Sequence, residues 1–195
     1  RITVALVLLV AVWMSVSVLS GGMIHRIVGR ELSGRSDSEW ALDRLQLAVK
    51  LDSRNPDIHA LVAKLQPPEE SLSTYRLLTQ LIPRDGLVWA NLFARKLQLG
   101  RLDEEARQAL DSALKLAPYE PLVQETLIGS ASPRWLMLDP ATKQKIIEMA
   151  VRALESKSHY RKSEIRQLLV NRGLMWPVCA SPRVVDHAFC GRYRH

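Results

Sequence analysis

The sequence predicts an all-α protein: an N-terminal transmembrane helix, then a short α-solenoid of stacked helical hairpins, then a C-terminal capping segment. Three observations carry that expectation. Residues 86–118, GLVWANLFARKLQLGRLDEEARQALDSALKLAP, hold two amphipathic stretches around a glycine break. The small and apolar positions of the second stretch recur upstream at the same spacing. Residues 2–19 form an uncharged apolar run. A helical hairpin cannot bury its apolar faces alone, so one good copy implies stacked neighbours and a concave surface along the stack.

The apolar run, ITVALVLLVAVWMSVSVL, has 18 residues. At about 1.5 Å per residue it extends roughly 27 Å, close to the hydrocarbon thickness of a bilayer. Ser15-Val16-Ser17 and Val18-Leu19-Ser20 offer small-residue cleavage sites, which leaves a removable signal peptide as the alternative. There is no Ala-x-Ala, and the run exceeds the usual signal h-region. It also lacks the polar face of a soluble core helix. Residues 1–24 are therefore expected to be an uncleaved single-pass anchor, and residues 25–35 a linker.

The repeat array is expected over residues 36–130. Ser36 and Glu39 have capping-box spacing and mark a helix start. Ala41, Leu45 and Ala48 then give a ladder of four and three residues. A degenerate copy follows: a short helix over 58–65, a Pro67-Pro68 turn, and a second helix carrying Ser71, Tyr75 and Leu78 up to Pro83. In the best copy Trp89, Leu92 and Leu97 share one stripe of a first helix, and Gly100 with Arg101 breaks it. Asp103, Glu104 and Glu105 put carboxylates at the positive start of a second helix. There Ala106, Leu110 and Ala113 repeat the upstream ladder, broadened by Leu114 and Leu116, and Pro118 ends the helix. Pro83 and Pro118 are 35 residues apart, close to one repeat length. An unrelated α-helical bundle is the competing reading.

This window resembles the tetratricopeptide repeat (TPR). Trp89, Leu92, Gly100, Ala106, Leu110, Ala113 and Pro118 fall on that family's Trp, Leu, Gly, Ala, aromatic, Ala and Pro positions. It departs in three places. One extra residue lies between Gly100 and Ala106, Phe93 replaces a small residue, and Leu110 replaces an aromatic. The resemblance implies a groove lined by first helices, with Asn91, Arg95 and Gln98 as its candidate partner-binding residues.

Residues 131–195 are read as a C-terminal helical cap with a cysteine-containing tail, because an open stack would expose apolar surface. Asp139-Pro140 is a helix opening, with Asp as N-cap and Pro at the first position. Ile146, Ile147, Ala150, Val151 and Leu154 give that helix an apolar face. Ser163 is taken to open a further helix through Ile165, Leu168, Leu169 and Val170, ended by Gly173. Leu174-Met175-Trp176-Pro177, with Phe189 and Tyr193, is too apolar for a free tail and is expected to pack back on the last helices.

The net charge of +7 is unevenly spread: +3 over residues 1–35, −3 over 36–130 and +7 over 131–195. The basic residues form no recognition motif or aromatic stacking set, so nucleic acid is not an expected partner. The basic C-terminal segment is either a solvated face or a surface for anionic headgroups or an acidic polymer. Arg26, Arg30 and Arg35 follow the apolar run while only Arg1 precedes it, which would leave the bulk of the chain in the cytoplasm. Cys179 and Cys190 point the other way: a pair with ten residues between them in an exported protein most simply forms a disulfide. Two buried free thiols in a cytosolic protein are the alternative. The exported side is the expectation.

Catalytic groupings are scarce, and the chain is not expected to be an enzyme or to carry a cofactor. Cys179, His187, Cys190 and His195 offer zinc-ligand types at a spacing that fits no familiar module, so no metal is expected. A metal or thiol enzyme using that cluster remains the minor alternative. His25, His59 and His159 are isolated and are read as surface or packed histidines; Trp89 and Trp135 are read as core.

The plan as a whole, with a short anchor, few degenerate repeats and a cysteine-bearing Trp-Pro tail, is similar to small accessory proteins of bacterial exopolysaccharide or O-antigen assembly. That resemblance implies a non-catalytic interaction scaffold in the inner membrane, its soluble part in the periplasm, holding a protein partner of a polymerase or exporter. A scaffold for biogenesis or quality control of envelope proteins shares these features.

Overall fold

A computed structural model describes residues 38–155, 159–181 and 190. Among the described residues every regular element is a helix, as an all-α chain requires. The expected anchor over 1–24, the linker and the Ser36 cap lie outside the described residues. Within the described residues no helix is long and apolar enough to cross a membrane. The chain divides into two compact units, Arg1–Ile82 and Pro83–His195.

The first unit contains α1 (Ser38–Leu51), α2 (Pro56–Leu65) and α3 (Pro68–Leu81). Ala41, Leu45 and Ala48 of α1 form a buried core with Ile58 and Val62 of α2, so the expected ladder is the packing stripe. Asn55 starts α2 by accepting the amide hydrogens of Asp57 and Ile58 through its side-chain oxygen, and Pro56 occupies the first turn. Pro67 and Pro68 stop α2 and open α3 in one step, because neither can donate an amide hydrogen bond. The α3 helix buries Ser71, Leu72, Tyr75 and Leu78. His59 is a packed histidine whose Nε2 lies 2.8 Å from the Ser53 carbonyl.

The second unit contains α4 (Gly86–Gln98), α5 (Glu104–Leu116), α6 (Pro121–Ala131), a 3-10 turn (Ser132–Met137), α7 (Pro140–Leu154), α8 (His159–Asn171) and α9 (Met175–Cys179). The α4 helix packs on both α5 and α6; α6 packs on α7 and α8; α9 rests on α7 and α8. Alternate helices α4, α6 and α8 thus touch in series. Asp85, Asp103 and Asp139 cap α4, α5 and α7 by accepting amide hydrogens of the first turn.

Two glycines with positive φ close helices. At Gly100 (φ 70°) the Arg101 amide donates to the Lys96 carbonyl and the Gly100 amide to the Leu97 carbonyl. Gly173 (φ 68°) repeats this at the end of α8, where Leu174 donates to Leu169 and Gly173 to Val170. Both are Schellman closures, which left-handed glycine permits without steric cost.

Several expectations need correction. Ser163 does not open α8 but sits inside it: the helix already covers His159, and residues 159–162 hold no Pro or Gly to break it. Trp89 and Trp135 are only half-buried rather than core. Trp89 donates its indole N–H to the Pro83 carbonyl at 3.0 Å, which keeps one ring edge at the surface. Leu116 is exposed, so the α5 stripe ends at Ala113 and Leu114. Leu174 and Met175 are buried as expected, and Val178 and Cys179 of α9 are buried with them, but Trp176 is 64% exposed. Phe189 and Tyr193 lie outside the described residues.

Candidate functional site

The hairpin of α4 and α5 is the most extensively packed helix pair of the second unit. Leu92, Phe93 and Leu97 face Ala106, Ala109, Leu110 and Ala113 in one buried stripe set. Gly86 lets the start of α4 approach the end of α5: a Cβ there would lie 2.5 Å from the Ala117 Cβ. Lys96 is 3% exposed yet charged, and its ammonium reaches Asp103 at 2.7 Å and also pairs with Glu105. The carboxylates at the start of α5 therefore do two tasks, capping the helix and neutralising a buried lysine. Burial pushes the Asp103 carboxyl up, but hydrogen bonds from Lys96 and the Ala106 amide, with the Lys96 charge, outweigh it and leave the pKa lowered. Position 96 follows Trp89 and Leu92 at the spacing of the apolar stripe, but the lysine was not singled out in the sequence because a charged side chain there counts as polar.

A second polar link joins α5 to α7. Arg107 pairs with Asp139, and Lys145 of α7 pairs with Asp111. The hydrogen bond from the Thr142 amide lowers the Asp139 pKa most. Burial opposes it, and the Thr142 hydroxyl and Arg107 add to the lowering.

The candidate groove residues Asn91, Arg95 and Gln98 all lie on α4. Arg95 Nη1 donates to Gln98 Oε1 at 2.9 Å, and the Gln98 carbonyl accepts from Arg134 Nη2 at 3.2 Å. Arg95, Gln98 and Arg134 thus form a polar cluster at the C-terminal end of α4, where basic groups suit the helix dipole. Asn91 is half-buried one turn before Arg95.

An open groove of about 510 Å³ runs between α6 and α8, lined by Glu125, Tyr160, Ser163, Glu164, Gln167 and Leu168 among others. The lining is mostly polar, with Tyr160, Ile165 and Leu168 as apolar members that can anchor a peptide segment. Its α6 wall was missed in the sequence, although Glu120-Pro121 carries a readable start with proline in the first turn. The first unit has its own groove of about 490 Å³, walled by α1, α2 and α3 and including Val49, His59, Val62, Thr74 and Leu77.

Cys179 and Cys190 are joined as a disulfide, with Cα atoms 5.4 Å apart. This ties residue 190 to α9 and occupies both sulfurs of the minor metal cluster, whose His187 and His195 lie outside the described residues. Among the described residues no group of three or more His, Cys, Asp and Glu is placed to hold a metal ion. No protein-family model matches the chain, and no curated protein matches it, so its function is argued from its own geometry.

Proposed function

We propose that this protein is a membrane-tethered interaction scaffold, built as a short TPR-like solenoid, that serves bacterial envelope polysaccharide assembly or export without catalysing a step. The observation that carries the scaffold reading is the serial contact of α4, α6 and α8, with α5 and α7 joined by their ion pairs. Helices stacked in that order leave an accessible groove between neighbours, and one such groove lies between α6 and α8. Tethering is supported by the apolar run over residues 2–19, and an exported position by the Cys179–Cys190 pairing. The link to polysaccharide assembly rests on the similarity of plan described above.

The test is photocrosslinking in intact membranes from a probe placed at Gln167, in the groove, and another at Gln98, followed by mass spectrometry. The reading expects adducts with an inner-membrane polymerase or exporter from at least one site. Adducts with folding factors instead would assign the chain to envelope-protein biogenesis. Labelling with a membrane-impermeant thiol reagent, before and after external reduction, tests the compartment. Thiols that react only after lysis, without reduction, would overturn the exported placement.

A further inference from the structure

Leu136 is 93% exposed and its neighbour Met137 is 56% exposed, at the tip of the 3-10 turn Ser132–Met137. The turn is braced from both sides. The Ser132 hydroxyl donates to the Arg172 carbonyl at 2.6 Å, and Arg134 donates to the Gln98 carbonyl at 3.2 Å. These bonds fix the backbone between the ends of α8 and α4, so Leu136 is held outward by a defined structure while Met137 stays partly exposed. Single exposed leucines are ordinary, but an exposed Leu-Met tip on a braced turn beside a half-buried Trp is a compact apolar projection.

The surroundings of this tip are basic. Lys143 lies over the Trp135 ring, 5.9 Å from its centroid, and Arg134 is part of the turn. Gly100 is close enough that a Cβ there would sit 3.7 Å from Met137 Cε, so the end of α4 lies beside the turn. The nearest carboxylate along the chain, Asp139, is engaged by Arg107 and by the first turn of α7. The segment from 131 onward carries the +7 excess. An apolar tip with an aromatic ring at its base and the basic side chains of Arg134 and Lys143 beside it matches the interfacial layer of a bilayer. There aromatic rings sit at headgroup depth, and Lys and Arg are drawn to anionic lipid.

We propose that the Ser132–Met137 turn is a membrane-contact knuckle: Leu136 and Met137 insert at the headgroup boundary while Arg134 and Lys143 engage anionic headgroups. The inference rests on the tethered reading, which places this unit beside a bilayer.

The experiment uses the full chain reconstituted in vesicles of phosphatidylcholine with phosphatidylglycerol, and in phosphatidylcholine alone, with brominated acyl chains as quencher. The contribution of Trp135 is the difference in quenching between the unaltered chain and Trp135→Phe. The expected result is a Trp135-dependent quenching in phosphatidylglycerol vesicles that is lost without the anionic lipid. It is also lost at about 1 M salt, where the screening length is about 3 Å. Leu136→Asp with Met137→Asp removes it while the melting curve by circular dichroism is unchanged. Equal quenching of the unaltered chain and Trp135→Phe in phosphatidylglycerol vesicles overturns the inference, and that comparison does not depend on the Asp variant folding. A photocrosslinker at Leu136 that yields protein adducts and no lipid adduct in native membranes also overturns it, in favour of a protein partner. A high-salt wash separates the two readings. A chain retained by the vesicles without Trp135 quenching sinks the knuckle alone; a chain washed off after showing that quenching sinks the tether alone.

Discussion

Gly86 sits where a methyl group has no room. Its Cβ would fall 2.5 Å from Ala117 Cβ and 3.2 Å from the Ala117 amide, so Gly86→Ala must push α4 away from the end of α5. The expected cost is about 1–3 kcal/mol, as for other overpacked sites. Pairing it with Ala117→Gly removes the worse clash and should recover most of that loss in a thermal-melt double-mutant cycle. An additive result would show that the two residues do not meet. At Phe93 the opposite holds, because the ring is fully buried. Phe93→Ala should cost about 3–5 kcal/mol in denaturant unfolding. Sequence spacing made Leu92, Leu97, Ala106 and Ala113 legible as core. It did not reveal Lys96, whose aliphatic stem lies in the apolar stripe while its ammonium reaches Asp103 and Glu105 across the turn.

Helix ends were the most readable elements where Asp preceded proline or a carboxylate-rich turn, as at Asp103 and Asp139, whereas the Asn55 cap went unread and its helix was expected only from residue 58. The cap signal misled at Ser163, because a serine can sit within a helix when no breaker precedes it. The caps also set an acid limit on the hairpin. The Asp103 and Asp139 pKa values are lowered in the folded state, so each contributes stability above its unfolded value of about 4 that is lost as pH falls through the folded value. Replacing both with Asn keeps a capping side chain but removes the charge. The double variant should therefore be about 1–3 kcal/mol less stable than the unaltered chain at neutral pH, because buried Lys96 keeps only Glu105, yet lose less stability on acidification below pH of about 4. Parallel acid profiles for the two chains would refute this assignment.

For the molecule as a whole, the all-helical class was legible because amphipathic periodicity is local, whereas α6 and the groove it forms with α8 were not. The α6 segment, PLVQETLIGSA, has apolar residues around much of its circumference and so shows little sided pattern; it is flanked by α4, α7 and α8. Nor does periodicity announce an outward Leu136, since exposure there depends on bonds from Ser132 and Arg134 to distant carbonyls. The Cys179–Cys190 link closes a short loop onto α9, itself packed on α7 and α8. Replacing both cysteines with serine should cost about 2–3 kcal/mol by the loop-closure estimate, read as a lower melting temperature of the second unit. A melting curve unchanged by the double replacement would show that α9 docks without the link.

The pairs between α5 and α7 run with opposite polarity: Arg107 meets Asp139, while Asp111 meets Lys145. Exposed ion pairs of this kind contribute little to the depth of the native well. Their order nevertheless carries direction. Crossing the pairing would set Arg107 against Lys145 and Asp111 against Asp139, so a stack of similar-looking helices is steered away from a reversed assembly. Exchanging the charges on α5 alone, Arg107→Asp with Asp111→Arg, should therefore show itself in refolding yield and aggregated fraction more than in the melting temperature. Exchanging Asp139 and Lys145 in the same chain should restore the yield. In these terms the surface charges act as an address read once, during folding, by the two helices they join.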